Sequence, residues 1–395
     1  MMQSRIIFFL ALLFLSAVEI LRVFFIMPFP GSQRSETIAL AYFIDTNILW
    51  FRLVGFVLIV ATIIPIWKNS ERIMKAAAIF ALLVWLTISY LFNFKFLAEK
   101  MFYQPTTTIF ASASDNKILG RQLVIGVSIN NQSKAYPIEI IGYHHQVRDT
   151  LAGQPIMVTY CTVCRTGRVY KPIVDGQLET FRLVGMDHFN AMFEDSRTKS
   201  WWRQANGEVL VGPLKGKALE EIPSEQMTLE VWLELHPDSK IMQPDSLFLE
   251  EYHDLRNFDE GKSKGSLTRA DTLSWREKSW VVGVALGEHA RAYDWKELQH
   301  LRIINDAIAN TKLAVVLEAD TASFHVFLRD SLEFAASPDG KFMTDSQTQS
   351  KWTWRGECVE GTLAGAKLKT TQSYQEFWHS WKTFHPQTTE YRSGE

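Results

Sequence analysis

Cysteine is scarce, with three in 395 residues. That excludes a fold stapled by many disulfides, so the chain must rely on apolar cores, and its length suffices for two or three. Net charge is almost absent too, at −2. With a pI near 6.6, no basic footprint for nucleic acid is expected. No Gly-x-x-x-x-Gly-Lys-Ser/Thr loop or His-Glu-x-x-His helix occurs, and no serine-nucleophile elbow is expected. These gaps remove the common phosphate-binding, zinc-protease and serine-hydrolase arrangements. What is abundant is apolar and aromatic: 47% hydrophobic residues and 13 tryptophans.

The grease is concentrated at one end. Residues 6–27, 47–67 and 76–94 form three apolar runs of the length needed to cross a bilayer. Trp50, Trp67 and Tyr90 lie near their ends, as interfacial aromatics do. A cleaved signal peptide is disfavoured for the first run, because no small-x-small site precedes Pro28 and two further runs follow. Glu19 and Arg22 are spaced to pair on one helical face. Residues 1–102 are therefore expected to be a membrane region, with the lipid bilayer as partner. Lys68, Arg72 and Lys75 favour a cytoplasmic loop between the second and third spans, against the weaker pull of Lys95 and Lys100. The expectation is a multi-pass protein of the cell (inner) membrane with its soluble region on the extracytoplasmic side.

From residue 103 to 395 the pattern shifts to short alternating runs broken by Gly, Asn and Asp, predicting an α+β, β-rich, mostly antiparallel domain. Helical periodicity is expected only locally, over 225–235 and 373–384. Two blocks recur. Val124-Ile-Gly-Val127 aligns with Val281-Val-Gly-Val284, and Asp149 with Asp306, at an offset of 157. Asp195-Ser-x-Thr-x-Ser-x-Trp202 matches Asp345-Ser-x-Thr-x-Ser-x-Trp352, and Trp232, His236 and Pro237 match Trp381, His385 and Pro386. An internal duplication, near 118–242 and 275–391, follows from these collinear matches. Asp195 and Asp345 suit tight turns in which a short carboxylate accepts backbone N–H groups.

The duplication isolates the cysteines. Cys161 and Cys164 form one Cys-x-x-Cys loop after an apolar strand, while their counterparts at the 157 offset are Glu318 and Thr321. The repeated fold does not require the thiols. The strings Val158-Thr-Tyr-Cys-Thr-Val-Cys-Arg-Thr-Gly167, Asn190-Ala-Met-Phe-Glu-Asp-Ser-Arg-Thr-Lys-Ser-Trp-Trp-Arg-Gln204 and Gly207-Glu-Val-Leu-Val-Gly-Pro-Leu-Lys-Gly216 resemble the DUF3179 family. The resemblance covers most of 105–391. Thr162 stands where many members have proline. The family is one of unknown function, so the resemblance implies no reaction.

Two thiols at this spacing can exchange disulfides or hold a soft metal. A disulfide across four residues would contribute only roughly 2 kcal/mol against the ~3 of a 15-residue loop, so stability alone is a weak reason for the pair. Cys161 and Cys164 are the expected reacting or ligating residues, Arg165 the electrostatic tuner, and His188 a third ligand for a copper or zinc ion. His144-His145 is read as two strand residues facing opposite ways, and Cys358 as filling an apolar site. The competing expectation is a non-enzymatic sensor or scaffold with a static disulfide and a ligand cleft between repeats; its protein or small-molecule partner is not specified. A reporter active only in the cytoplasm, fused after Glu395, should be silent; activity would invert the assigned orientation.

Overall fold

A computed structural model describes residues 2–394. The chain divides into two compact units, Met1–Tyr103 with Glu179–Ala218, and Gln104–Leu178 with Leu219–Glu395.

The first unit begins with helices α1 (Met2–Phe24), α2 (Ile38–Thr46), α3 (Ile48–Asn69) and α4 (Arg72–Phe94). Helices α1, α3 and α4 are long and apolar enough to cross a membrane, with mean hydropathies of 2.5, 2.3 and 1.9. Their buried seam holds Phe8, Leu12, Leu15, Ile59 and Ile66. Large apolar side chains such as Leu49, Phe56, Ile73 and Phe80 point outward, an arrangement that suits lipid and is costly in water. Glu19 and Arg22 do approach, at 3.7 Å. The tighter partner of Glu19 is Arg52, whose Nε donates at 2.6 Å. Asn93 joins both charges, donating to Glu19 at 2.9 Å and accepting from Arg22 at 2.7 Å. Buried charges persist because each finds such partners.

The same unit contains a four-stranded antiparallel sheet of Phe181–Asp187, Asn190–Asp195, Trp201–Arg203 and Val209–Val211, neighbours in that order. It meets the helical region where Met186 N–H donates to Ile26 O at 2.7 Å. Gly185 is required there, because a Cβ would lie 2.2 Å from that same oxygen. At the sheet's turn Asp195 accepts from the Thr198 and Ser200 amides and from Trp202 Nε1 at 2.9 Å. In the second unit Asp345 makes the same three bonds to Thr348, Ser350 and Trp352. The Asp-Ser-x-Thr-x-Ser-x-Trp string is thus a self-contained turn.

The second unit is β-rich, and all its strand pairs are antiparallel except Lys240–Met242 with Gln132–Pro137 and Thr389–Glu390 with His289–Asp294. Two stretches have the same element order. Strands Leu123–Ile129 and Gln132–Pro137, helix Ile138–His144, then strands Gln146–Leu151, Gln154–Cys161 and Thr166–Tyr170 form one series. The other runs Trp280–Leu286, His289–Asp294, helix Trp295–Leu301, Ile303–Ile308, Thr311–Leu317 and Phe324–Leu328. Tyr136 and Lys134 hold Asp149 at 2.7 Å, and Tyr293 and Arg291 hold Asp306 at 2.9 and 2.8 Å.

Each expected helix of 225–235 and 373–384 starts instead as a strand. Glu225–Thr228 pairs with Leu123–Ile129, and Tyr374–Phe377 with Trp280–Leu286, before the helices Leu229–Leu235 and Trp378–Phe384 begin. Pairing with a waiting strand edge overrides the local helical period. The two histidines are not strand residues: His144 ends a helix and His145 caps it in the left-handed region at φ 62°. Cys358 packs with Trp352 and Trp354 in an apolar cluster, as expected.

Gly126 and Gly283 lie under the rings of Trp232 and Trp381, and a Cβ would come within 2.2 and 2.3 Å of them. Alanine at either position must displace a buried indole, so each variant should lose roughly 1–3 kcal/mol of stability in chemical denaturation. Wild-type stability in both would contradict this packing.

Candidate functional site

The thiol loop is a hairpin. Gln154–Cys161 and Thr166–Tyr170 pair antiparallel with Cys161 opposite Thr166, which leaves residues 162–165 as the turn. The turn closes with Arg165 at φ 56°, a left-handed conformation uncommon for a non-glycine residue. What holds it is a set of acceptors: the Arg165 guanidinium donates to Gln375 Oε1 at 3.1 Å and to the Phe258 and Asp259 carbonyls, each at 2.9 Å. It also stacks over Trp280, 3.6 Å from the ring centre.

Cys161 and Cys164 are fully buried, and among the described residues no disulfide is present. The cation that couples to both sulfurs is Lys278. Burial pulls its ammonium pKa down, and Cys164 and Cys161 push it back up. Its Nζ donates to Val163 O and Leu267 O, both at 2.7 Å. His379 approaches the same Val163 carbonyl, with Nε2 at 3.2 Å. A carbonyl only accepts, so this nitrogen carries the proton. Burial and the Lys278 charge bring the His379 pKa down to about 4, so the ring is neutral at pH 7. A neighbouring ammonium favours the thiolate form of a cysteine.

Strand Tyr374–Phe377 closes the other side. Phe377 N–H donates to Cys164 O at 2.9 Å, and Thr166 Oγ1 donates to Glu376 at 2.7 Å. Arg168, also buried, pairs with Glu376 and stacks 3.2 Å above the Tyr374 ring centre. Behind the hairpin, Tyr160 Oη and Asp259 Oδ1 are buried without a hydrogen-bond partner. Burial lifts the Asp259 pKa to about 7 despite Arg165 nearby.

The expected residues fall into two places. Cys161, Cys164 and Arg165 share one turn, although the Arg165 charge is directed to carbonyls. His188 belongs to the first unit, where its Nδ1 lies 2.8 Å from Asp187 and its Nε2 3.5 Å from Glu36. Among the described residues no group of three or more His, Cys, Asp or Glu side chains could hold a metal ion. Lys278, Glu376, His379 and Asp259 escaped the sequence reading. The one signal was the 157-residue offset, which sets Lys278 against Arg121, a residue that lies 3.7 Å from Glu260 at the surface. The letters of Gly261-Lys-Ser-Lys-Gly265 fit a Gly-x-Ser-x-Gly pattern, but Ser263 lies in a strandless loop bonded to Thr268, so no nucleophile elbow forms.

A β-rich region that follows apolar helices in the chain and carries a buried thiol hairpin defines the class. The chain belongs to the DUF3179 family, described as a protein of unknown function, which matches residues 104–388. No curated protein and no solved structure matches the chain.

The raised Asp259 pKa has a signed consequence. Relative to an ordinary value of 3.8, its stabilising contribution is complete below that pH and is lost as pH rises through about 7. Asp259→Asn should therefore raise the thermal unfolding midpoint more at pH 8 than at pH 5; equal effects at both would refute a strained carboxylate.

Proposed function

We propose that this DUF3179 protein is a multi-pass membrane protein whose extracytoplasmic, internally duplicated region performs thiol–disulfide exchange through Cys161 and Cys164. The observation that carries the reading is the Lys278 ammonium, which donates to the Val163 carbonyl at 2.7 Å, within the turn between the two buried cysteines. A thiolate of the pair attacks a disulfide in a partner protein, breaking that bond and forming a mixed disulfide. The second thiolate then displaces the partner's sulfur. Cys161 and Cys164 end oxidised by two electrons, and the partner ends as a dithiol that takes up the two protons. Lys278 stabilises the attacking thiolate, and Arg165 fixes the turn on which both cysteines stand.

Burial sets the kinetics: the turn must open before a partner's sulfur can enter. The same burial favours a second reading, in which the cysteines close the hairpin statically within a sensor or scaffold. Soft-metal binding is the third. Two thiolates suit Cu(I), whereas a structural zinc ion takes about four ligands.

The purified full chain decides among them. For exchange, the pair should cycle reversibly against glutathione at a potential above about −300 mV, the range of labile rather than structural disulfides. Lys278→Met should slow alkylation of the reduced pair at pH 7 by about tenfold or more. A pair that cannot be reduced without denaturant supports the static reading. Stoichiometric copper lost in Cys161→Ser and Cys164→Ser supports the third.

A further inference from the structure

Within the second unit a cleft of about 330 Å³ opens beside strand Phe324–Leu328. Its lining includes Gly126, Glu225, Gln226, Trp232, His325 and Thr370. Among its described lining residues the one carboxylate is Glu225, and no Lys or Arg is present. Glu225 is partly exposed, with His325 Nδ1 3.9 Å away. His325 is itself fixed from behind, its Nε2 2.8 Å from Glu318. The lining otherwise offers hydroxyls and the side-chain amides of Gln226 and Gln372, neutral groups that can accept from a bound cation while Glu225 supplies the charge.

The hairpin of the first series indicates which cation. Arg168 lies opposite Thr159, and His325 lies opposite Val316, at the same register position of two hairpins offset by 157. Across from Arg168 stands Tyr374, paired with Gly283; across from His325 stands Glu225, paired with Gly126. Around Arg168 the space is full: its guanidinium stacks on Tyr374, pairs with Glu376 and lies 3.8 Å from Glu221. At the corresponding place the arginine has become a shorter histidine, the tyrosine a carboxylate, and Glu221 has become Thr370. Neither a guanidinium nor a phenol fills this volume, and an acid faces it.

We infer that this cleft is a binding site for a small guanidinium-bearing solute, held by Glu225 in the place that a built-in arginine fills in the other hairpin. Guanidinium favours this geometry over a simple ammonium because it is planar, weakly hydrated and able to pair with a carboxylate through two N–H groups. The site is independent of the thiols, which belong to the other hairpin.

The test is calorimetric titration of the full chain in detergent with methylguanidinium, with methylammonium and acetate as comparators. Methylguanidinium should bind more tightly than methylammonium, and acetate should not bind. Glu225→Gln should weaken methylguanidinium at least tenfold. The pair Glu225→Tyr with His325→Arg puts back two side chains of the filled hairpin, with Glu318 beside the new arginine as counter-ion, and should abolish binding while circular dichroism reports a folded protein. Cys161→Ser should leave the affinity unchanged, which separates this site from the thiol chemistry. Comparing methylguanidinium with acetyl-Gly-Arg-Gly-amide assigns the guanidinium to a free solute or to a peptide, by whichever binds more tightly. Acetate binding as tightly as methylguanidinium, or an affinity that survives both Glu225 changes, overturns the inference.

Discussion

A single buried carboxylate, Glu376, sets the conditions for the thiol hairpin. Arg168 points into the interior, and an unpaired guanidinium there would cost several kcal/mol. Glu376 neutralises it and also accepts from Thr166, the residue opposite Cys161. Because Glu376 sits on a strand paired with Trp280–Leu286, the charge balance of the first series depends on the second. The hairpin does not carry its own counter-ion.

That dependence explains why the cysteines are so well covered. Phe377 binds the Cys164 carbonyl, Gln375 and two carbonyls bind Arg165, and Lys278 with His379 binds the Val163 carbonyl. The Val163 and Cys164 oxygens are each met by a side chain or strand from more than 90 residues away in sequence. A turn held on so many sides gives two sulfurs a fixed separation, and it also makes opening the slow step of any exchange.

Legibility from the sequence followed the range of the contacts. The apolar spans were readable because bilayer thickness acts on composition alone, and the Asp195 and Asp345 turns because every bond lies within eight residues of the chain. Helix Leu229–Leu235 was placed but started four residues early, since strand Glu225–Thr228 runs straight into it and is defined only by its partner. Arg52 and Asn93 were missed as partners of Glu19 because three separate helices must meet first. Lys278 and Glu376 were invisible for the same reason. The cysteine spacing located the hairpin, but nothing local says which cation faces it.

The bond from Thr166 to Glu376 spans 210 positions. A ribosome that has just released the Cys-x-x-Cys turn must add those positions before the sheltering strand exists. Throughout that interval both sulfurs stand open to any oxidant, thiol or ion around the nascent chain. During synthesis the pair can therefore meet a partner without the opening step that the closed turn later imposes.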